Sequence, residues 1–297
     1  MKILRAQHLG MCFGVRDAIL LARQEASARP ITILGELVHN EMVVADLRAR
    51  GVNIEFEPER ATTFTVMITA HGASDKTLNR ARARGLNVLE STCPLVHFAH
   101  RAVRQLVEQG YHPVIIGQRG HVEVRGLTED LDACDIVLTD TDVEQLQRHA
   151  RFGIAAQTTQ PIERVRRLVD LIRRRFPKSE VRFMDTVCQP TKQRQQAAVD
   201  LARQCDVVVV VGGTNSNNTR ELAATCGRHG AEVHHVQTAA DLRPEWFEHA
   251  DVVGLTAGTS TPDAVIEGVE QWLLAHAEHH NAPADKAEED HDLARAF

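Results

Sequence analysis

Short aliphatic runs alternate with amphipathic stretches along most of the chain. Ile31 to Leu34, Thr65 to Thr69, Pro113 to Ile116, Gly153 to Ala156, Val207 to Val211 and Val252 to Leu255 are predicted to be strands. The weaker runs Lys2 to Ala6, Asn87 to Leu89, Asp135 to Leu138, Val181 to Met184 and Glu232 to Val236 join them. Helical spacing of apolar residues marks Gly14 to Ala28, Leu95 to Gln109, Ile162 to Arg175 and Thr191 to Gln204. Strand, polar loop and helix in repetition predict an α/β fold of mainly parallel sheets with crossover helices. The unbroken valines of 207–211 suit a parallel strand covered on both faces.

A threefold repeat lies within this alternation. Val88-Leu89-Glu90-Ser91-Thr92-Cys93-Pro94 and Phe183-Met184-Asp185-Thr186-Val187-Cys188-Gln189-Pro190 share one plan of strand, acidic residue, Thr, Cys and Pro before a helix. Ile3 to Gly14, with Cys12, is a looser version. Three units predict three similar domains, 14–92, 93–187 and 188–275, with residues 1–13 returning to the third. After about Ala275 the sequence turns to His, Ala, Asp and Glu without an apolar period, so 276–297 is expected to be a solvated or disordered tail.

Composition narrows the function. The chain has 297 residues, 43% hydrophobic and 25% charged, which is ordinary globular usage. Acidic residues outnumber basic ones 40 to 34 and aromatics are 4%, which argues against a nucleic-acid binder. No apolar run approaches a membrane span. Six cysteines at low density, with no signal-peptide pattern ahead of the first strand, point to reduced thiols and a cytoplasmic location.

Cys12, Cys93 and Cys188 each precede a helix, where unpaired N–H groups favour thiolate. Gathered together they would repel one another unless a cation held them. Three soft ligands with one open position suit an iron–sulfur cluster with a free iron, or a catalytic zinc. No pair has the short C-x-x-C spacing of zinc ribbons. Cys134, Cys205 and Cys226 read as inert thiols.

The loops after the strands carry the other candidate groups. His39, His71 and His121 each follow a strand, Ser216, Asn217 and Asn218 occupy a Gly-rich turn, and Ser260 sits in a similar one. Ligands in open α/β sheets bind beyond the carboxyl ends of strands, and these donors would form an anion cradle without a P-loop lysine. Glu123, two residues from His121, could hold a proton for a leaving oxygen; Thr158 could relay it or merely cap a helix.

In this order, Gly10-Met11-Cys12-Phe13-Gly14, Val38-His39-Asn40, Ala70-His71-Gly72, Thr92-Cys93-Pro94, Gly120-His121-x-Glu123, Gln157-Thr158-Thr159, Cys188-x-x-Thr191-x-x-Arg194-Gln195, Asn215-Ser216-Asn217-Asn218 and Ala257-Gly258-x-Ser260 resemble the motifs of the IspH/LytB family over roughly residues 1 to 275. The resemblance implies a trefoil-like, pseudo-threefold arrangement of three domains around a central cluster. It implies 4-hydroxy-3-methylbut-2-enyl diphosphate reductase activity, the last step of the non-mevalonate isoprenoid pathway, yielding isopentenyl and dimethylallyl diphosphate. Cys12, Cys93 and Cys188 would hold a [4Fe-4S] cluster; His39, His71, His121, Thr158, Ser216, Asn217, Asn218 and Ser260 would bind substrate. Glu123 and Thr158 would handle the proton, and ferredoxin or flavodoxin would supply electrons. Met11, Val122 and Asn217 stand where the family often has Phe, Pro and Ser. Two other readings are a sensor that keeps the cluster without turnover and a zinc hydrolase on the same cysteines; Glu123 and Thr158 argue against the sensor.

Overall fold

The computed structural model describes residues 1–281. Its twelve strands form three four-stranded parallel sheets. The first sheet has the order β5(Asn87–Glu90)-β4(Thr65–Ile68)-β2(Ile31–Leu34)-β3(Asn53–Glu55). The second is β9(Glu180–Phe183)-β8(Arg151–Ala156)-β6(His112–Ile116)-β7(Asp135–Val137). The third is β1(Lys2–Arg5)-β12(Val252–Ala257)-β10(Val207–Val211)-β11(Glu232–Val236). The N-terminal strand therefore returns to the last unit, in register Lys2 to Val252 through Arg5 to Leu255.

Each sheet separates two apolar clusters. In the second, Phe152, Ile154 and Val165 pack on one face and Leu106, Ile115 and Ala155 on the other. The third divides Val209, Phe247 and Leu255 from Leu201, Val208 and Val210. Alternate residues of one strand face opposite cores, which is why β10 is aliphatic throughout and fully buried. The short edge strand β3 escapes prediction because Asn53-Ile54-Glu55 carries one apolar residue and remains half exposed.

The three edge strands that carry the cysteines are built alike. β1, β5 and β9 each lead through a short loop into a helix: α1(Phe13–Ala28), α4(Pro94–Glu108) and α8(Gln189–Ala202). Cys12, Cys93 and Cys188 are the three N-cap residues. Their amides donate to Thr259 O (3.2 Å), Ala70 O (3.1 Å) and Thr158 O (3.0 Å), each in the loop after the neighbouring strand. The repeated bond gives the pseudo-threefold plan a physical basis, because one hydrogen bond in each unit aims a cysteine beyond the carboxyl end of its sheet.

The remaining α-helices are α2(Glu41–Ala49), α3(Asp75–Ala83), α5(Val122–Thr128), α6(Asp140–Glu144), α7(Ile162–Arg175), α9(Asn217–Arg228) and α10(Asp263–Asn281). Helix α10 continues through residues 276–281, which were expected to belong to the tail. The rest of that stretch, 282–297, lies outside the described residues. Among the described residues no helix is long and apolar enough to cross a membrane.

Candidate active site

Loops from all three sheets line one small cavity of about 40 Å³. His39, His71, His121, Ser216, Asn217, Asn218 and Ser260 are all in its wall, as their positions after β2, β4, β6, β10 and β12 require. The three imidazoles pack together, with ring centroids 4.8, 5.2 and 5.5 Å apart. Around this cavity His39 Nε2, His71 Nδ1, Asn217 Nδ2 and Asn218 Nδ2 are buried without hydrogen-bond partners. Four such atoms against one cavity form a set of groups left for a polar ligand, since buried polar groups are otherwise nearly always paired.

Local structure orients these groups. Ser216 caps α9 by accepting from Thr219 N at 3.3 Å. Asn218 Oδ1 accepts from Thr259 N at 3.0 Å, which turns its Nδ2 away from that bond as a donor. Gly72, just after His71, has φ +76°, the left-handed region that only glycine enters cheaply. His121 caps α5: its Nδ1 accepts from Glu123 N at 3.1 Å, so a neutral ring carries its proton on Nε2. Burial holds His71 well below the usual imidazole range and lowers His121 to about 4, with His39 adding repulsion in both cases. An anion entering the cavity would reverse that balance and draw protons onto the rings.

Glu123 and Thr158 do not line this cavity; they bind each other. Thr158 N donates to Glu123 Oε1 at 2.6 Å, and Thr158 Oγ1 to Glu123 Oε2 at 3.1 Å. Glu123 is 1% exposed, and burial raises its carboxyl to about 7 in spite of both bonds. The Thr158 carbonyl takes the Cys188 amide, which sets this carboxyl pair beside the third cysteine. The structure puts Glu123 in the first turn of α5 rather than in a loop. Val122 is the first residue of that helix, where a proline would also fit, so the helix starts without one. Thr158 does not cap α7, whose N-cap is Pro161.

The cysteines lie in one region next to the cavity, near enough to feel one another electrostatically. In the first turn of α1, Gly14 packs on Cys93 so closely that a Cβ there would lie 2.5 Å from Cys93 Sγ. The next residue, Val15, lines the histidine cavity. Cys188 feels the charge of both Cys12 and Glu123, as does Cys93. At Cys93 and Cys188 the helix termini do not produce ready thiolates, however. Burial outweighs them, raising the Cys93 thiol and pushing Cys188 up to about 11. Cys205 and Cys226 are buried in the apolar core of the third unit, and Cys134 is half-buried.

Sequence reasoning assigned no role to Thr191 and Arg194. Cys188 Sγ donates to Thr191 Oγ1 at 3.0 Å. Arg194 is a buried cation whose Nε and Nη2 donate to Gly10 O at 3.0 and 2.8 Å, fixing the loop before Cys12 to the helix after Cys188. Among the polar neighbours Lys192, Gln193, Gln195 and Gln196 nothing local singles it out, and its signal is its place in the motif Cys188-x-x-Thr191-x-x-Arg194-Gln195.

The family model described as LytB protein matches residues 3–274. The chain belongs to the IspH/LytB family. The 4-hydroxy-3-methylbut-2-enyl diphosphate reductase of Anaeromyxobacter sp. (strain Fw109-5) is 39% identical over 278 residues, covering 92% of this chain and 97% of that protein. Its counterpart in Aquifex aeolicus (strain VF5) is 38% identical over 277 residues, covering 91% and 95%. The solved E-1-hydroxy-2-methyl-but-2-enyl-4-diphosphate reductase from Plasmodium falciparum matches this IspH/LytB member with a TM-score of 0.86 and 25% identity over 92% of this chain and 87% of that one.

Proposed function

We propose that the chain reduces 4-hydroxy-3-methylbut-2-enyl diphosphate to isopentenyl and dimethylallyl diphosphate. The reading rests on one juxtaposition: the first turn of α1 touches Cys93 with Gly14 and lines the donor-rich cavity with Val15, so sulfur ligands and an anion cradle share a wall. In the overall reaction a C–OH becomes C–H and water, consuming two electrons and two protons.

Cys12, Cys93 and Cys188 fit a [4Fe-4S] cluster. All three are N-caps, and the amides of Leu95 and Val96 at Cys93 and of Thr191 at Cys188 donate to the sulfurs, which suits ligands that carry thiolate charge. Among the described residues the sets whose donors fall within 4.8 Å of one another are histidine-based, and the cysteines are not one of them. A wider sulfur triangle favours a multi-iron cluster over a single tetrahedral zinc, whose thiolate sulfurs sit roughly 3.8 Å apart. Bound there, the cluster would supply electrons and Lewis acidity toward the alcohol oxygen.

The protein's own groups do the rest. His39, His71, His121, Ser216, Asn217, Asn218 and Ser260 bind the diphosphate, with the unpartnered amides as donors and the imidazoles taking up protons as the anion arrives. Glu123, half protonated near pH 7, gives a proton to the leaving oxygen, and Thr158 positions it or passes the proton on. Arg194 adds positive charge opposite Cys12 and Cys188. Domain boundaries at 14, 93 and 188, a cytoplasmic location and a ferredoxin or flavodoxin as electron source complete the proposal.

Anaerobic iron and sulfide analysis, combined with reduction of the allylic diphosphate by a low-potential dye, tests it. Brown protein that turns over substrate is expected. A colourless zinc protein would replace the proposal with the hydrolase reading, and a brown protein inert toward the diphosphate with the sensor reading.

A further inference from the structure

At the opposite end of the second sheet lies a cluster that this chemistry does not use. β7, β6 and β8 are neighbours there, and their amino ends bring together Asp135, His112 and, two residues ahead of β8, His149. His112 Nε2 is 2.8 Å from Asp135 Oδ2. The His149 ring lies flat on the His112 ring, with centroids 3.7 Å apart and planes 4° from parallel. Phe152, fully buried, meets both rings edge-on. One donor atom from each of the three residues lies within 4.8 Å of the others. No hydrogen bond from the described residues reaches the ring nitrogens of His149.

A tetrahedral zinc ion with bonds of about 2.0–2.2 Å sets its ligand atoms roughly 3.3–3.5 Å apart. The donors already lie within 4.8 Å of one another, and turning the His149 ring out of its stack about the Cβ–Cγ bond aims its in-plane lone pair at an ion held by His112 and Asp135. A stack of two imidazoles on a carboxylate gains little from a half-exposed ion pair, and the partly exposed His149 ring nitrogens are open to solvent or to an ion. The Asp135 side chain is 38% exposed and that of His112 15%, so an ion can reach the site from solvent. We propose that His112, Asp135 and His149 bind one divalent transition-metal ion of the zinc class. The ion takes the place of the proton shared by His112 and Asp135 and clips the amino ends of three strands together, with solvent in the fourth position. The five-residue strand β6 separates it from the carboxyl-end cavity by about 16 Å, so the two sites are distinct. The proposal does not depend on the reductase reading.

Anaerobically prepared full-length protein is incubated with zinc, desalted and analysed for metal. His149→Ala and Asp135→Asn are expected to retain one zinc equivalent fewer than wild type. His71→Ala, in the other histidine cluster, should keep the equivalent that His149→Ala loses. Added zinc should also raise the unfolding midpoint of wild type but not of His149→Ala, as a ligand that binds only the folded state must. Equal retention by wild type and both variants, retention of none by wild type, or loss of that equivalent in His71→Ala alone would each overturn the proposal. His112→Gln serves as a second probe if Asp135→Asn is poorly folded.

Discussion

Replacing Glu123 with Gln gives two expected readouts from one buried carboxyl. The unfolded chain releases this proton near 4.5 and the folded chain near about 7, a difference worth about 3 kcal/mol. The folded state binds the extra proton, so the stability tied to the neutral carboxyl is complete below pH 4.5. It drains away as pH rises to about 7 and is gone above that. Gln cannot ionise and escapes the loss, while its carbonyl can still accept from Thr158 N. The unfolding midpoint of Glu123→Gln relative to wild type is therefore expected to be more favourable at pH 8 than at pH 5. Turnover should fall about 10²- to 10⁴-fold, the usual worth of a positioned proton donor, with iron content unchanged. In wild type kcat should decline as pH rises past about 7, and the variant's residual rate should lack that limb. Denaturation at two pH values, iron analysis and steady-state kinetics supply the measurements. A variant as fast as wild type removes Glu123 from the proton path, and an equal stability difference at both pH values means that the carboxyl is not held neutral.

Four further outcomes follow from the geometry. Cys188→Ser removes one of three soft ligands and should lose iron and activity together in anaerobic preparations. Gly14→Ala drives a methyl to 2.5 Å from Cys93 Sγ, so iron incorporation should drop severalfold while the helical circular dichroism stays intact. Arg119, Arg125 and Arg220 line the wider pocket that adjoins His39 and His121. Arg220→Glu should lower kcat/KM roughly tenfold at low salt, leave kcat nearly unchanged and flatten the ionic-strength dependence, as lost electrostatic steering requires. Phe152→Ala empties a fully buried position in the second sheet's core and should cost about 3–5 kcal/mol in denaturant unfolding.

The alternation of aliphatic runs and amphipathic helices determined the α/β class, because burial on both faces demands a continuous apolar strand and no other period fits. The repeated cysteine before a helix was equally legible, since it depends only on local order along the chain. The position of the seven cavity donors after strands could be read because parallel sheets send those loops to one end. Other features were decided by the tertiary structure. Glu123 is raised to about 7 only because α5 carries it into the interior, where burial outweighs the two hydrogen bonds from Thr158, a residue of another loop. The Cys93 and Cys188 thiols are raised by burial that outweighs their helix termini, a balance that no window of residues contains. Arg194 reaches a carbonyl 184 positions away, and His112, Asp135 and His149 meet only because β6, β7 and β8 lie side by side. Desolvation and long-range pairing depend on how distant segments pack, and the order of residues along the chain does not set them locally.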